Sequence, residues 1–220
     1  MSLFFTSKEF SAQSKKQAIL TLLENAAPDR DFYVLVIGAI ILAAAGILID
    51  SIPVLIASMI VAPLAYPILA LGLGIVARDG RLVLRSLSML ALSVVLAIIV
   101  AGLFSLVAKN YFTVADERIL VTFFPNYFFD ILIALVSGAI AAYGLIRSKV
   151  GAAMTGIGIA VSLMPPLVAT GIGLFDQSDA LAIRAFIIFL LNVVGILLAS
   201  AVTFGAFSIS REYRTIKKDD

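Results

Sequence analysis

The chain has 220 residues, of which 62% are hydrophobic and 14% charged, and its net charge is +2. A composition this apolar excludes a soluble domain and indicates an integral membrane protein, whose first partner is the lipid bilayer. His and Cys are both absent, which excludes the usual zinc sites, thiol chemistry and a histidine general base, and no basic run indicates a nucleic-acid partner.

The polar segment at residues 1–30 precedes the first apolar stretch. Within residues 15–25, one helical face carries four apolar side chains, Ala18, Ile19, Leu22 and Leu23. This pattern predicts a short amphipathic helix on the membrane surface. No apolar core followed by a small-residue cleavage site occurs in this segment, so it is not predicted to be a signal peptide.

Six apolar segments follow, near the length of about 20 residues that a transmembrane helix needs. They cover residues 32–49, 52–77, 85–107, 131–146, 150–175 and 185–207. The sequence therefore predicts an all-α integral membrane protein with six transmembrane helices. The predicted organisation is a cytoplasmic segment (1–30), a three-span unit (31–107), an extracytoplasmic loop (108–129), a second three-span unit (130–207) and a polar, mobile cytoplasmic tail (208–220).

The second and fifth segments contain prolines followed by a spaced pair of glycines. These residues are Pro63, Pro67, Gly72 and Gly74 in the second segment and Pro165, Pro166, Gly171 and Gly173 in the fifth. Proline removes a backbone donor and clashes with the carbonyl four residues earlier, so we predict that both segments are broken into half-helices. In lipid the freed backbone groups need partners, which places such segments inside the bundle. The alternative is that the prolines only kink the helices.

An internal repeat relates the two halves of the chain. A shift of 99 residues aligns residues 31–104 with 130–203 without a gap, and about one position in five is identical. The matches include Pro67 with Pro166 and Arg85 with Arg184. Each copy holds three spans, an odd number, so the second copy is predicted to be inserted upside down relative to the first.

The distribution of basic residues predicts the orientation. With six crossings and a cytoplasmic N-terminus, thirteen of the 16 basic residues lie on the cytoplasmic side, in accord with the positive-inside rule. If the two proline segments were instead re-entrant hairpins, six basic residues would lie outside and ten inside. We therefore expect six crossings in the cell membrane, with both termini in the cytoplasm.

Inverted repeats with a broken helix in each half are typical of transporters, whose site lies at the midplane between the breaks. The predicted solute or ion pathway is formed by Ser58, Ala62, Pro63, Tyr66, Pro67, Ser162, Pro165, Pro166, Thr170 and Asn192. Tyr66 is the predicted gate, since it is the one bulky residue inside a break. Free amides in the breaks suit an anion and free carbonyls suit a dehydrated cation. Hydroxyls on membrane helices also bond to their own backbone, so each hydroxyl has a structural alternative.

Four charged residues occupy repeat-related span ends. Asp31 and Arg85 lie at the predicted cytoplasmic face, and Asp130 and Arg184 lie at the opposite face. They are either ordinary charged flanks or a symmetric pair of ion pairs that closes each half.

No enzyme is predicted, because the spans contain neither an acid pair nor a buried lysine, and we expect no metal and no cofactor. The first hypothesis is a transporter or channel for a small solute or ion. The second is a membrane scaffold or assembly protein that does not transport. A scaffold is expected to be packed dry between the breaks, and a pathway needs a polar void there. Glycine-rich helices pack closely, and we expect a homo-oligomer.

Three stretches resemble a known prokaryotic membrane family of unknown function, number 389 among such domains. They are RDFYVLVIGAIILAAAGIL with LIDSIPVLIASMIVAPLAYPILALGLGIVARDGRLVLRS, then GIGIAVSLMPPLVATGIGL, then LLNVVGILLASAVTF. The resemblance covers residues 29–207, and its proline motifs are specific. Some members of that family carry an additional soluble domain before the spans. The resemblance implies no activity, substrate or catalytic residue.

Overall fold

The computed structural model describes residues 12–108, 127–147 and 152–219, with side chains from 13–108, 127–147 and 162–217. The described residues are helical and contain no strand. Most of the predicted loop at 108–129 lies outside them. The helices are α1 (Ala12–Asn25), α2 (Arg30–Leu48), α3 (Ile52–Val61), α4 (Ala65–Ala77), α5 (Gly80–Ala108), α6 (Tyr127–Ile146), α7 (Ala152–Phe175), α8 (Asp179–Ala206) and α9 (Ile209–Asp219).

Four helices, α2, α5, α6 and α8, are long and apolar enough to cross a membrane. The α3–α4 pair passes the same test as one element that is bent by 48°. Their outer faces expose large apolar side chains such as Val34, Leu84 and Val202, which suit contact with lipid. The described helices therefore indicate a multi-pass membrane protein.

The proline-containing helices α4 and α7 form the centre of the bundle. Every residue of α7 from Ser162 to Gly173 is buried, and so is α4 from Ala65 to Gly74 except for the half-buried Tyr66. The helices α5 and α8 pack against both of these elements. Of the segments predicted to lie inside the bundle, these two stretches are buried, whereas α3 exposes Ile52, Ile56 and Ile60.

The break predicted in the second segment is present between α3 and α4. Ala62 ends α3 with an extended backbone, at φ −65° and ψ 121°, because a residue before proline is driven out of the helical region. The break predicted at Pro165 and Pro166 is wrong: α7 continues through both prolines. The prolines of α7 are adjacent, so they interrupt one turn only, and a side chain from α8 replaces one of the donors that they lack.

Contacts between helix termini show which termini lie together at each end of the bundle. At the first end, α9 packs on α1, α4 and α8, and the ring of Tyr143 near the end of α6 lies 5.8 Å from that of Phe207. At the second end, the Ser105 hydroxyl of α5 donates to Asp176 after α7 at 3.1 Å. Arg184 near the start of α8 lies over the Tyr127 ring at the start of α6, 5.5 Å from its centre. The starts of α6 and α8 thus lie at the second end, and α4, α6 and α8 end at the first.

The two halves share local geometry at repeat-related positions. Arg78 after α4 and Gln177 after α7 both have a left-handed backbone conformation, with φ angles of 56° and 59°. The following amides donate to Gly74 and Gly173, each at 2.9 Å. These positions are 99 residues apart in each case, so the turn that joins the second and third elements is the same in both halves.

Glycines of α4 and α7 pack closely against helices of the opposite half. A Cβ on Gly72 of α4 would lie 2.6 Å from the Ser200 hydroxyl of α8. A Cβ on Gly171 of α7 would lie 2.9 Å from the Ile98 carbonyl oxygen of α5. Each central element therefore packs its glycine against the third helix of the other half, at a distance that a larger residue would not permit.

Candidate functional site

The proline turn of α7 is stabilised by an amide side chain from α8. Pro166 has no N–H, so the Ser162 carbonyl loses the donor that a helix normally supplies. The Asn192 Nδ2 atom donates to this carbonyl at 2.6 Å. Asn192 therefore replaces the missing backbone donor, which explains why α7 remains helical through its prolines.

The same amide leaves an oxygen without a partner. Asn192 is only 2% exposed, and among the described residues its Oδ1 atom has no hydrogen-bond partner. The amide cannot be reversed, because Oδ1 would then face another acceptor. An unpaired buried acceptor costs roughly 1–3 kcal/mol, so a native structure that keeps one calls for an explanation.

Two further predicted pathway residues, Ser58 and Thr170, bond to their own helices. The Ser58 hydroxyl donates to the Leu55 carbonyl at 2.6 Å. The Thr170 hydroxyl donates to the Pro166 carbonyl at 2.8 Å. Both side chains are buried, and each hydroxyl oxygen keeps lone pairs after its hydrogen has been used.

The remaining predicted pathway residues surround the two proline turns. Ala62 and Pro67 are buried, whereas Pro63 and Tyr66 are half-buried at the α3–α4 break, and Pro165 is buried in α7. Since α3 packs on α7, and α4 on both α7 and α8, the two turns belong to neighbouring elements. The hydrogen bond from Asn192 to Ser162 joins predicted residues of two different helices, α8 and α7.

The four predicted ion-pair residues lie at helix ends. Asp31 is exposed in the first turn of α2, and Arg85 is exposed near the start of α5. Asp130 is half-buried in α6, and Arg184 lies against the Tyr127 ring. The two symmetric ion pairs remain predictions.

A second polar cluster, at the first end of the bundle, joins α9 to the α4–α5 turn. Asp79 is 8% exposed and its Oδ1 atom accepts from the amides of Arg81 (3.0 Å) and Leu82 (3.4 Å). Its Oδ2 atom accepts from the Tyr213 hydroxyl at 2.6 Å and from Lys217. We call Asp79, Tyr213 and Lys217 the C-terminal clamp.

Arg214 adds a contact beside the clamp. Its Nε atom donates to the Ala77 carbonyl at 3.1 Å and its Nη2 atom to the Val76 carbonyl at 3.4 Å. These are the last carbonyls of α4, where a positive charge also complements the helix dipole. A surface groove of about 380 Å³ is lined by Ala77, Arg78, Arg214 and the three residues of the C-terminal clamp.

The environment of the C-terminal clamp changes the acidity of two of its groups. Burial by itself would raise the pKa of Asp79, but hydrogen bonds from Lys217, Tyr213 and two backbone amides lower it to about 2. Burial, followed by the hydrogen bond to Asp79, raises the pKa of Tyr213. The carboxylate is therefore charged and the phenol neutral at physiological pH.

The clamp was missed because the tail was predicted to be polar and mobile. It is a helix instead, and it buries Ile209 and Tyr213 against the bundle while Ile216 packs beside them. The spacing of these three residues, at i, i+4 and i+7, is the periodicity of an amphipathic helix. That signal is short, and its polar partner Asp79 lies 134 residues away from Tyr213 in the sequence.

The described residues contain no group of three or more His, Cys, Asp and Glu side chains that could hold a metal ion. The candidate site is thus built from backbone carbonyls, hydroxyls and one amide. The fold and this site define a multi-pass helical membrane protein whose central helices contain prolines.

Comparison with known proteins assigns the family. The model of the domain of unknown function DUF389 matches residues 59–198, and the chain belongs to that family. The uncharacterized protein MJ0678 of Methanocaldococcus jannaschii is 32% identical over 223 residues, which cover 97% of this chain and 67% of the relative. No solved structure matches. The resemblance seen in the sequence is confirmed, and the matched region contains Asp79, both proline turns and Asn192 but not α9.

Proposed function

We propose that this protein is a transporter or channel that moves a small solute or ion across the cell membrane. The pathway passes the centre of the bundle, between the α3–α4 break and the proline turn of α7. Both termini lie in the cytoplasm, and the two halves form an inverted repeat of three crossings each.

The arrangement of the helix ends supports the inverted repeat. α2 begins at the first end of the bundle, beside α1, and 19 residues carry it about 28 Å toward the second end. The α3–α4 pair returns to the first end, where Asp79 binds α9. A re-entrant hairpin would have left this turn at the second end. α6 begins at the second end, so the two halves run in opposite directions.

The observation that carries the proposal is the unpaired Asn192 Oδ1 atom at the proline turn of α7. Packing alone requires only the donor half of this amide, which holds the Ser162 carbonyl. A sequence with leucine at position 192 and no proline at position 166 would avoid the cost of an unpaired oxygen. Polar groups inside membrane bundles that are not satisfied by packing are typical of substrate and ion pathways.

A second candidate is a membrane scaffold without transport, which is favoured by the close glycine packing between the halves. Gly72 and Gly171 bring central and outer helices nearly into backbone contact. Such contacts rigidify the centre, as a scaffold requires. They do not account for an unpaired amide oxygen in the same region.

Flux into liposomes that contain the purified protein tests the proposal. The panel is Na⁺, K⁺, chloride, phosphate and small organic acids, with protein-free liposomes as the reference. We expect at least one member to enter ten times faster with the protein. Tyr66→Ala is expected to raise the flux several-fold, because a half-buried ring at the break no longer obstructs the path, and Ser162→Ala and Asn192→Leu are expected to change it.

The control for these variants is Leu84→Ala on the lipid-facing side of α5, where the side chain is 69% exposed. This change should leave the flux within twofold of that of the unmodified protein. If no member of the panel enters faster than in protein-free liposomes, or if Tyr66→Ala, Ser162→Ala and Asn192→Leu all behave like Leu84→Ala, the proposed pathway is wrong and the scaffold is favoured.

A further inference from the structure

We infer that the proline turn of α7 binds a dehydrated monovalent metal cation, such as Na⁺ or K⁺, with the Asn192 Oδ1 atom as a ligand. This inference rests on the proposed function in that it names the ion bound in the same pathway. It is carried by the direction of the hydrogen bonds around the turn.

Polar side chains of α7 and of the helices packed against it donate their hydrogens to carbonyls and keep their oxygen lone pairs. Thr170 donates to the Pro166 carbonyl at 2.8 Å, and Ser58 on the adjacent α3 donates to the Leu55 carbonyl at 2.6 Å. The Asn192 amide nitrogen is engaged with the Ser162 carbonyl, which leaves its buried oxygen unpaired among the described residues. Each of these oxygens therefore keeps lone pairs after its side-chain hydrogens have been used.

The prolines increase this excess of acceptors. Neither Pro165 nor Pro166 has an N–H, so the carbonyls of Val161 and Ser162, on consecutive residues, lose their helical donors. Asn192 supplies one of the two missing donors. The Val161 carbonyl of α7 and the Asn192 Oδ1 atom of α8 thus supply oxygen acceptors beside the same turn of α7.

The charge of the surroundings selects the kind of cation. Divalent Ca²⁺ and Mg²⁺ are bound through carboxylates. Neither residues 150–175 nor residues 180–207, which contain this turn and Asn192, include an Asp or a Glu. Neutral carbonyl oxygens are the ligands that replace the hydration shell of K⁺ in channel filters. An uncharged set of oxygens in the middle of a bundle therefore fits a monovalent cation.

The test measures the melting temperature of the purified full-length protein in detergent at constant ionic strength. NaCl, KCl and LiCl are compared with N-methyl-D-glucamine chloride, and chloride is exchanged for gluconate and phosphate in parallel. We expect a saturable rise in melting temperature with Na⁺ or K⁺ and no dependence on the anion, because a ligand that binds the folded state stabilises it. Stabilisation that follows the anion would overturn the inference and favour the amides at the start of α4 as the binding groups.

Two variants connect the effect to the site, and one serves as the control. Asn192→Leu should weaken the apparent cation affinity at least tenfold. Ser93→Ala changes the repeat-related position, whose hydroxyl donates only to its own helix, at 2.9 Å from the Met89 carbonyl, and it should leave the affinity unchanged. Equal cation affinity in Asn192→Leu and in the unmodified protein would overturn the inference.

Asn192→Asp keeps the test decisive if the leucine variant does not fold. A buried carboxyl at this position is protonated without a cation and ionised with one. We expect its cation affinity to rise at least tenfold between pH 6 and pH 8, while that of the unmodified protein stays constant; an affinity independent of pH in the variant would contradict the inference. Cation binding is measured in detergent, independently of transport. Flux of a neutral solute without cation binding would therefore overturn only this inference. Cation binding without flux would overturn only the proposed transport.

Discussion

Replacing Asn192 by leucine is expected to destabilise the protein by about 1–3 kcal/mol more when residue 166 is proline than when it is alanine. With proline, the leucine leaves the Ser162 carbonyl buried without a donor, since that carbonyl accepts from Asn192 at 2.6 Å. With alanine, the backbone N–H of residue 166 can donate to the same carbonyl, because α7 is already helical there. The Pro166→Ala change should therefore rescue the leucine variant.

A double-mutant cycle of Asn192→Leu and Pro166→Ala measures this coupling by thermal or denaturant unfolding in detergent. Loss of the unpaired Oδ1 atom occurs in both backgrounds, so its effect cancels in the cycle. Pairing Asn192→Leu with Leu84→Ala, far from the turn on the lipid-facing side, should give an additive result. A coupling of zero between Asn192 and Pro166 would show that the amide does not compensate for the proline.

The Asp79→Ala variant of the C-terminal clamp should lose on the order of 3 kcal/mol of stability. The carboxylate caps the start of α5 through two backbone amides and accepts from the Tyr213 hydroxyl at 2.6 Å. The contact with Lys217 adds little, because that side chain is 49% exposed and solvent screens the pair. We expect the loss to increase from Lys217→Ala to Tyr213→Phe to Asp79→Ala in unfolding measurements. Equal losses in all three would contradict the assignment.

The C-terminal clamp also gives stability a defined dependence on pH. The folded pKa of Asp79, about 2, lies below its ordinary value of 3.8, so its contribution is complete above about pH 4 and is lost as the pH falls toward 2. The raised pKa of Tyr213 has the opposite sign, so its contribution is complete below about pH 10 and is lost at higher pH. Melting temperatures of Asp79→Asn should fall less than those of the unmodified protein between pH 4 and pH 2.

The apolar helices and the first break could be predicted because the information for them is local. Hydropathy predicts the bounds of α2 and α6 to within four residues and the start of α8 to within six, and Pro63 with the residue before it determines where α3 ends. Burial of the proline turns themselves also follows from local chemistry, since freed backbone groups are not tolerated in lipid. These features needed no knowledge of tertiary contacts.

The continuity of α7 and the docking of α9 could not be predicted because each depends on a distant partner. Asn192 compensates for Pro166 from another helix, 30 residues from the carbonyl that it binds. Asp79 holds Tyr213 across 134 residues. Proline marks where a donor is missing, but only the fold determines whether another group replaces it.

Site-directed cysteine labelling is the measurement that tests the six-crossing inverted repeat most directly. The chain contains no Cys, so single cysteines can be introduced without removing any. The chosen positions are Gly80 at the start of α5, where a Cβ meets nothing within 4 Å, and the exposed Ala180 and Thr215. A membrane-impermeant maleimide is applied to intact cells and to inside-out vesicles.

We predict that Gly80→Cys and Thr215→Cys react only in inside-out vesicles and that Ala180→Cys reacts only in intact cells. Each outcome is all-or-none, because the reagent does not cross the membrane. Labelling of Gly80→Cys from the same side as Ala180→Cys would mean that the α3–α4 pair does not cross. The inverted repeat, and the central pathway that depends on it, would then be wrong.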